Sequence, residues 1–151
     1  MALIVDVDFT IFRGNLLERF FVERYRLQFL DYLHWRIRPA FVLLIVLIVS
    51  PPKCELETFL TENRKTAPFW PFGDDINKRV FFVSACFPLR LIVGRSLLGC
   101  QLFTLRCVDY LMVKKNKKDL FTRLIDNGVE PDLFVGDNME DSMDGYPFKR
   151  V

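Results

Sequence analysis

The chain has 151 residues, of which 51% are hydrophobic and 26% are charged, so it can bury a core and intrinsic disorder is excluded. Its net charge is only +2, and basic residues are interspersed with acidic ones, so no nucleic-acid partner is expected. The cysteines show no Cys-x-x-Cys spacing and the N-terminus does not resemble a secretion signal. We therefore expect one compact cytoplasmic domain with reduced thiols.

The N-terminal segment pairs a buried strand with acidic residues. Residues 3–7 form a short run rich in β-branched side chains, which predicts a buried strand, and this run leads into two carboxylates at Asp6 and Asp8. Asn15 precedes Glu18 by three residues, a spacing that can cap a helix. The mixed apolar and charged stretch that follows predicts one amphipathic helix over 16–37, ending before Pro39.

Residues 40–49 are all apolar, but this run is about half of the ~20 residues that a membrane-spanning helix needs. Arg36, Arg38 and Trp35 precede it, as in segments that dip into a cytoplasmic membrane surface. Peripheral membrane contact through 36–49 and a buried core or cap helix are both open interpretations.

The remaining sequence alternates between strand and helix patterns. Residues 54–78 are interrupted by prolines and are expected to be irregular. Strands are then predicted at 79–83, 101–105 and 133–135, with helices from about Pro88 to Gly99 and from about Lys117 to Asp126. This alternation predicts an α/β fold with a Rossmann-like parallel sheet.

Polar side chains follow three of these strands: Asp6 with Asp8, then Ser84, then Asp137 with Asp141. The carboxyl ends of parallel strands share one edge of the sheet, where ligands bind, so these groups should converge. Clustered carboxylates repel one another unless a cation or protons neutralise them, and oxygen ligands favour Mg²⁺. The sequence therefore predicts a magnesium site.

These segments resemble the motifs of the haloacid dehalogenase (HAD) superfamily. Residues 6–10, Asp-Val-Asp-Phe-Thr, resemble its DxDxT motif, and 83–85, Val-Ser-Ala, resemble its second motif. Residues 136–141, Gly-Asp-Asn-Met-Glu-Asp, resemble its GDxxxD motif. Many members carry glycine where Phe9 stands, and this departure bears on substrate identity. The resemblance implies the HAD fold, whose last strand and helix would be missing or very short here.

The resemblance also implies catalytic roles. Asp6 would attack phosphorus to form an aspartyl-phosphate, and Asp8 would protonate the leaving oxygen and then activate water. The carboxylates of Asp6 and Asp137 and the backbone carbonyl of Asp8 would bind Mg²⁺, with Asp141 supporting that shell. An acid at position 8 is typical of phosphatases and phosphomutases.

Phosphate contacts are also implied. Thr10, Ser84 and a lysine would hold the phosphoryl oxygens. The lysine candidates are Lys114, Lys115, Lys117 and Lys118. Lys117 is preferred because it opens the predicted helix, as in phosphoserine-phosphatase-like members, and Lys118 is the second choice.

The first two motifs are separated by about 70 residues, where this superfamily inserts a cap that closes over the substrate. Residues 1–14 and 79–151 would form the catalytic core, and 15–78 a small helical cap. This segment resembles the caps of phosphatidylglycerophosphate phosphatases and of phosphatase-like domains joined to prenyltransferases.

Three functions follow from the resemblance. The preferred one is a magnesium-dependent phosphatase acting on a lipid or prenyl phosphate at the membrane surface. The alternatives are a phosphatase of a small soluble phosphate monoester, such as a phosphoamino acid, and a catalytically inactive HAD-like binding protein. Because the single histidine, His34, has no evident nucleophile near it, a serine-histidine-aspartate triad is disfavoured.

Overall fold

The computed structural model describes residues 2–73, 79–113 and 117–151. Its strands are β1 (Ala2–Asp6), β2 (Arg79–Ser84), β3 (Ser96–Leu97), β4 (Cys100–Thr104), β5 (Leu133–Gly136) and β6 (Phe148–Arg150). Its α-helices are α1 (Leu16–Arg24), α2 (Arg38–Val49), α3 (Lys53–Glu62), α4 (Phe87–Val93), α5 (Cys107–Leu111) and α6 (Lys118–Asp126). Short 3₁₀ helices cover Gln28–Tyr32, Arg64–Thr66 and Met139–Asp141.

The six strands form one sheet in the order β3-β4-β2-β1-β5-β6. Neighbouring strands are parallel except β3 and β4, which form an antiparallel hairpin at one edge. The chain starts in the middle of the sheet and winds outwards in both directions, an order compatible with a Rossmann-like fold. The α/β class with a mostly parallel sheet is therefore confirmed.

Both faces of the sheet are covered, because side chains alternate between the two faces of each strand. Leu3 and Val5 pack with buried side chains of α1 to α4 on one face. Ile4 packs with Phe121 and Leu124 of α6 on the other face. These two apolar layers hold the strands whose ends carry the acidic residues.

The predicted helix over 16–37 is wrong, because α1 ends at Arg24. Arg26 adopts a left-handed backbone conformation, with φ of 56°, which stops the helix and turns the chain. The turn brings Leu30 back into the core beside Phe20 and Phe21, and this burial outweighs continuation of a regular helix.

The predicted helix from Pro88 to Gly99 is also too long. α4 ends at Val93, and Gly94 follows with a positive φ of 70°. Leu98 and Gly99 then have positive φ values of 51° and 79°, as in the tight turns that join two antiparallel strands. The last part of the predicted helix is therefore strand β3 followed by this turn.

The segment 15–78, predicted as a cap, is described as far as Gly73. The irregular structure predicted over 54–78 is wrong in its first part, because α3 ends only at Glu62 and buries Leu56, Phe59 and Leu60 at helical spacing. Buried residues of α1, α2 and α3 belong to the same apolar cluster as one face of the sheet. A cap that closes over the site stays a prediction.

α2 contains the whole apolar run of residues 40–49. It buries Val42, Ile45 and Val46 but leaves Leu44, Leu47 and Ile48 exposed. Among the described residues, no helix has both the length and the apolar character that crossing a membrane requires.

Candidate functional site

The candidate site lies at the carboxyl edge of the sheet, where the winding direction reverses. β1 ends at Asp6 and lies between β2 and β5, and Asp137 directly follows β5. In an open parallel sheet, the connections on the two sides of such a point diverge and leave a crevice for ligands. The fold therefore brings Asp6 and Asp137 to the usual binding position of this class of sheet.

A tight loop follows β1 and carries two of the predicted site residues, Asp8 and Thr10. The backbone N–H groups of Thr10 and Ile11 both donate to the carbonyl of Val7. Phe9 has a positive φ of 61°, and the residue is 53% exposed. This conformation favours glycine, so the departure from the HAD pattern at Phe9 introduces backbone strain while leaving the ring near the site surface.

Lys117 joins two buried carboxylates at the centre of the site. Its Nζ lies 2.5 Å from Asp6 Oδ1 and 2.7 Å from Asp141 Oδ1. The Thr10 hydroxyl donates to the other oxygen of Asp6, Oδ2, across 3.3 Å. Both oxygens of Asp6 are thus held in fixed positions by hydrogen-bond donors.

Burial dominates the electrostatics of this cluster. It raises the pKa of Asp6 well above its ordinary value, with Lys117 opposing and Asp141 adding to the rise. Burial also raises the pKa of Asp141, and Lys117 again opposes it. For Lys117 burial acts to lower the pKa, but the two carboxylates outweigh it and the pKa rises. Lys117 therefore stays charged and supplies one positive charge to two carboxylates.

Asp8 has different surroundings from Asp6. Its Oδ1 accepts the backbone N–H of Leu16 at the start of α1, at 2.8 Å. Burial raises the pKa of Asp8 to about 6, despite the opposing effects of that hydrogen bond and of Lys117. A carboxyl group with this pKa can both give up and accept a proton near neutral pH.

The end of β5 is packed tightly against Asp141. A Cβ placed on Gly136 would lie 2.3 Å from both Cβ and Oδ2 of Asp141, so only glycine fits there. Asp141 Oδ2 also accepts the backbone N–H of Asn138 at 3.3 Å, which fixes the carboxylate that contacts Lys117. These contacts explain why residues 136–141 begin with glycine and end with aspartate.

Asp6, Asp137 and Asp141 could together hold a metal ion. Each offers one carboxylate oxygen, and these three atoms lie within 4.8 Å of one another. An all-oxygen set suits a hard divalent cation. The sequence assigned Asp141 a supporting role, but its carboxylate belongs to this group directly. The Asp8 side chain lies outside the group, as expected if only its backbone carbonyl were a ligand.

Ser84 ends β2, directly beside β1 in the sheet. Its buried Oγ accepts the backbone N–H of Cys86 at 3.0 Å. A hydroxyl that accepts a hydrogen bond still has a proton to donate, which a phosphoryl oxygen could take. Thr104 ends the next strand, β4, and among the described residues its Oγ1 is a buried oxygen without a hydrogen-bond partner.

The structure distinguishes between two of the candidate lysines. Lys117 lies inside the acidic cluster and contacts Asp6, whereas Lys118 is exposed on the first turn of α6. Lys114 and Lys115 lie outside the described residues. The preferred lysine therefore lies at Asp6, and its contact with a phosphate stays a prediction.

A cavity of about 170 Å³ lies at the start of α1, where the Leu16 N–H binds Asp8, and the sequence did not predict it. Its lining includes Asn15 and Glu18 of the α1 start, Arg38 of α2 and Tyr110 of α5. The charge of Asp8 contributes to a raised pKa of Tyr110, although burial is the largest cause. Residues from three helices meet here, so no local sequence pattern could have revealed the cavity.

Comparisons of the chain with protein-family models, with curated proteins and with solved structures find no match. The fold and the site geometry are therefore the basis for any assignment of function.

Proposed function

We propose that this chain is a magnesium-dependent phosphate-monoester hydrolase of the HAD type that acts through an aspartyl-phosphate on Asp6. The observation that carries the proposal is the position of Asp6 between Lys117 and Thr10, with a metal-compatible group of carboxylates around it. The motif resemblance at 6–10, 83–85 and 136–141 supports the same chemistry.

The first chemical step is nucleophilic displacement at phosphorus. A carboxylate oxygen of Asp6 forms a bond to phosphorus while the bond from phosphorus to the leaving oxygen breaks. Thr10 and Lys117 hold the Asp6 carboxylate, which keeps it in one orientation and reduces the entropic cost of reaching the attack geometry. Lys117 and Ser84 would then donate hydrogen bonds to the phosphoryl oxygens.

Asp8 moves the protons in both steps. In its neutral form it gives its proton to the leaving alcohol, and it then takes a proton from the water that cleaves the bond between phosphorus and Asp6. A pKa of about 6 suits this double role, because both protonation states are accessible near neutral pH. The hydrogen bond from Leu16 N–H keeps the carboxyl group of Asp8 in place between the steps.

Asp6 and Asp137 would hold Mg²⁺, together with the backbone carbonyl of Asp8, and Asp141 lies close enough to join or support them. When bound, the ion would offset the negative charge that the substrate phosphate adds to this acidic site. Lys117 contributes a second positive charge from the protein itself.

Two substrate classes have specific support. The exposed apolar side chains of α2 favour the preferred class, a lipid or prenyl phosphate at a membrane surface. The cavity of about 170 Å³ at the start of α1, whose lining includes the charged residues Glu18 and Arg38, favours a small soluble leaving group such as a phosphoamino acid.

The test is phosphate release from p-nitrophenyl phosphate, soluble alkyl phosphates and lipid phosphates, with and without Mg²⁺. Asp6→Asn should lose all measurable turnover, whereas the exposed Asp126→Asn on α6 should match the parent. Asp8→Asn should lose much more activity on an alkyl phosphate than on p-nitrophenyl phosphate, because nitrophenolate needs little protonation to leave.

Mass spectrometry after acid quenching should find the phosphoryl group on the peptide that contains Asp6. Turnover that survives in Asp6→Asn would exclude the aspartyl-phosphate. If no substrate in the panel turns over and Mg²⁺ does not stabilise the protein, the chain would be a binding protein without catalytic activity.

A further inference from the structure

The outer side of three neighbouring helices carries exposed apolar residues. α2, α4 and α5 contact one another, and exposed apolar side chains lie on each of these helices and at Met112, directly after α5. We name this region the apolar surface and define it by Leu44, Leu47, Ile48, Leu91, Val108 and Met112. Their exposed fractions run from 47% for Leu91 to 73% for Ile48.

An all-apolar helix face in water is unusual. Residues 40–49 of α2 contain no polar side chain, yet only one side of the helix is buried. A helix that is apolar all round is normally covered on every side, and large exposed apolar patches mark contact with a partner or a membrane. The apolar surface therefore requires an occupant.

The charges around the apolar surface are mostly positive. Segments 34–50, 87–95 and 106–112 contain five arginines and a single acidic residue, and two of these arginines form ion pairs, Arg38 with Glu18 and Arg106 with Asp109. Arg90 and Arg95 line a cavity of about 280 Å³ together with Arg123 of α6, and none of its lining residues is acidic. Anionic lipids complement this arrangement.

Aromatic residues lie at the start of α2. Trp35 is exposed and stacks against the Arg36 guanidinium, whose Cζ is 5.2 Å from the ring centroid, and Tyr32 is exposed nearby. Tryptophan, tyrosine and arginine are the residues that anchor proteins at the boundary between lipid tails and headgroups.

We propose that the apolar surface is a membrane-docking surface for anionic bilayers, with α2 lying in the plane of the interface. A second copy of this chain fits less well, because a two-fold contact would bring the same arginines of the two copies towards each other. Docking would involve α4 and α5 as well as the segment 36–49 predicted from the sequence.

The docking surface adjoins the cavity at the start of α1. Val42 of α2 and Tyr110 of α5 both line that cavity, so the two helices that dock also border it, and Leu16 at the same end of α1 binds Asp8. On the basis of the proposed phosphatase function, the substrate would be a phosphate monoester whose apolar chain stays in the bilayer. The docking itself does not depend on catalysis.

Co-sedimentation with vesicles tests the proposal. The full chain is mixed with phosphatidylcholine vesicles, with or without about one third phosphatidylserine, in which anionic headgroups attract basic residues. Stronger sedimentation with the anionic vesicles, weakened by salt, is the expected result. Leu44→Gln combined with Leu47→Gln and Ile48→Gln should lower partitioning by at least about tenfold while keeping a good helix former at each position.

Matched controls separate the apolar and charged contributions. Met139→Gln removes another exposed apolar side chain, beyond β5, and should leave partitioning unchanged. Arg90→Gln with Arg95→Gln should weaken binding to anionic vesicles only. Arg64→Gln with Lys65→Gln removes the same charge from an exposed 3₁₀ helix elsewhere and should have little effect.

Two outcomes would overturn the proposal. The first is that the parent stays in the supernatant with both vesicle types. A parent that is dimeric by sedimentation velocity, with a triple glutamine variant that is monomeric, would assign the surface to a second copy.

Docking and catalysis remain distinguishable. Asp6→Asn should sediment like the parent, and the triple glutamine variant should still hydrolyse p-nitrophenyl phosphate. That variant should lose turnover of a vesicle-borne lipid phosphate.

Discussion

Replacing Lys117 by methionine should make the metal-free fold markedly less stable. The substitution keeps a long apolar side chain but removes the ammonium group that lies 2.5 Å from Asp6 and 2.7 Å from Asp141. Both carboxylates are only 3% exposed, so water cannot replace the lost charge. Lys117→Met therefore tests whether this cation is what allows the acidic cluster to be buried.

The size of the effect follows from the burial of the three groups. Removing one partner of a buried ion pair costs about 3–5 kcal/mol, because the other charge is left uncompensated. The total stability of a domain is about 5–15 kcal/mol, so this loss is a large part of it. Protonation of Asp6 and Asp141 would relieve some of the cost.

The pH dependence has a definite sign. The pKa values of Asp6 and Asp141 are already raised in the parent, and loss of Lys117 should raise them further. A carboxyl group with a raised folded pKa is most favourable at low pH, and that stability is lost as pH rises through the folded pKa. The penalty of Lys117→Met should therefore be larger at about pH 7.5 than at about pH 5.

Urea unfolding with a metal chelator present measures this penalty, and Lys65→Met, on an exposed 3₁₀ helix, is the matched control. The control should change the free energy of unfolding by no more than about 0.5 kcal/mol. Addition of Mg²⁺ should restore part of the stability of Lys117→Met, by about 2.7 kcal/mol at a hundredfold excess over the Kd. A loss below about 1 kcal/mol that is the same at both pH values would refute the reasoning, because leaving a buried charge uncompensated has a larger free-energy cost.

Two further predictions concern Gly136 and Asp8. Gly136→Ala should reduce stability by about 1–3 kcal/mol in urea unfolding, because its Cβ would lie 2.3 Å from Asp141, whereas Gly73→Ala, with open space around it, should be nearly neutral. Equal effects of the two substitutions would contradict this close approach. Asp8→Asn should raise metal-free stability at about pH 7.5 by up to about 3 kcal/mol and change it little near pH 4, since a folded pKa of about 6 makes the charged Asp8 unfavourable. Thermal unfolding across this pH range checks it, and identical pH profiles for variant and parent would disprove it.

Local patterns in the sequence predicted the strands that position the site. The apolar run before Asp6, the run before Ser84 and the run before Asp137 each form a strand within one or two residues of the prediction. Burial on both faces of a parallel sheet selects such runs over a few consecutive residues, so the signal is local. The convergence of Asp6 and Asp137 then follows from parallel strand directions alone.

Helix ends were predicted less well. α1 stops at Arg24 rather than continuing to residue 37, and α4 stops at Val93 rather than near Gly99. Both regions keep an apolar pattern beyond the helix, and what ends the helix is a residue with positive φ together with packing onto the core. Propensity over a few residues cannot measure that long-range packing.

The sequence by itself determined the α/β class and the residue types at the strand ends, because these depend on hydrophobic periodicity and on acidic residues placed beside it. Only the tertiary structure decided that Lys117 contacts Asp6, 111 positions away in the chain, and that Asp141 shares this contact. It alone also decided that Tyr110 and Arg38 border one cavity and that one face of α2 is exposed. The physical reason is that charge pairing and burial depend on distances between elements, which are fixed only when the whole core packs.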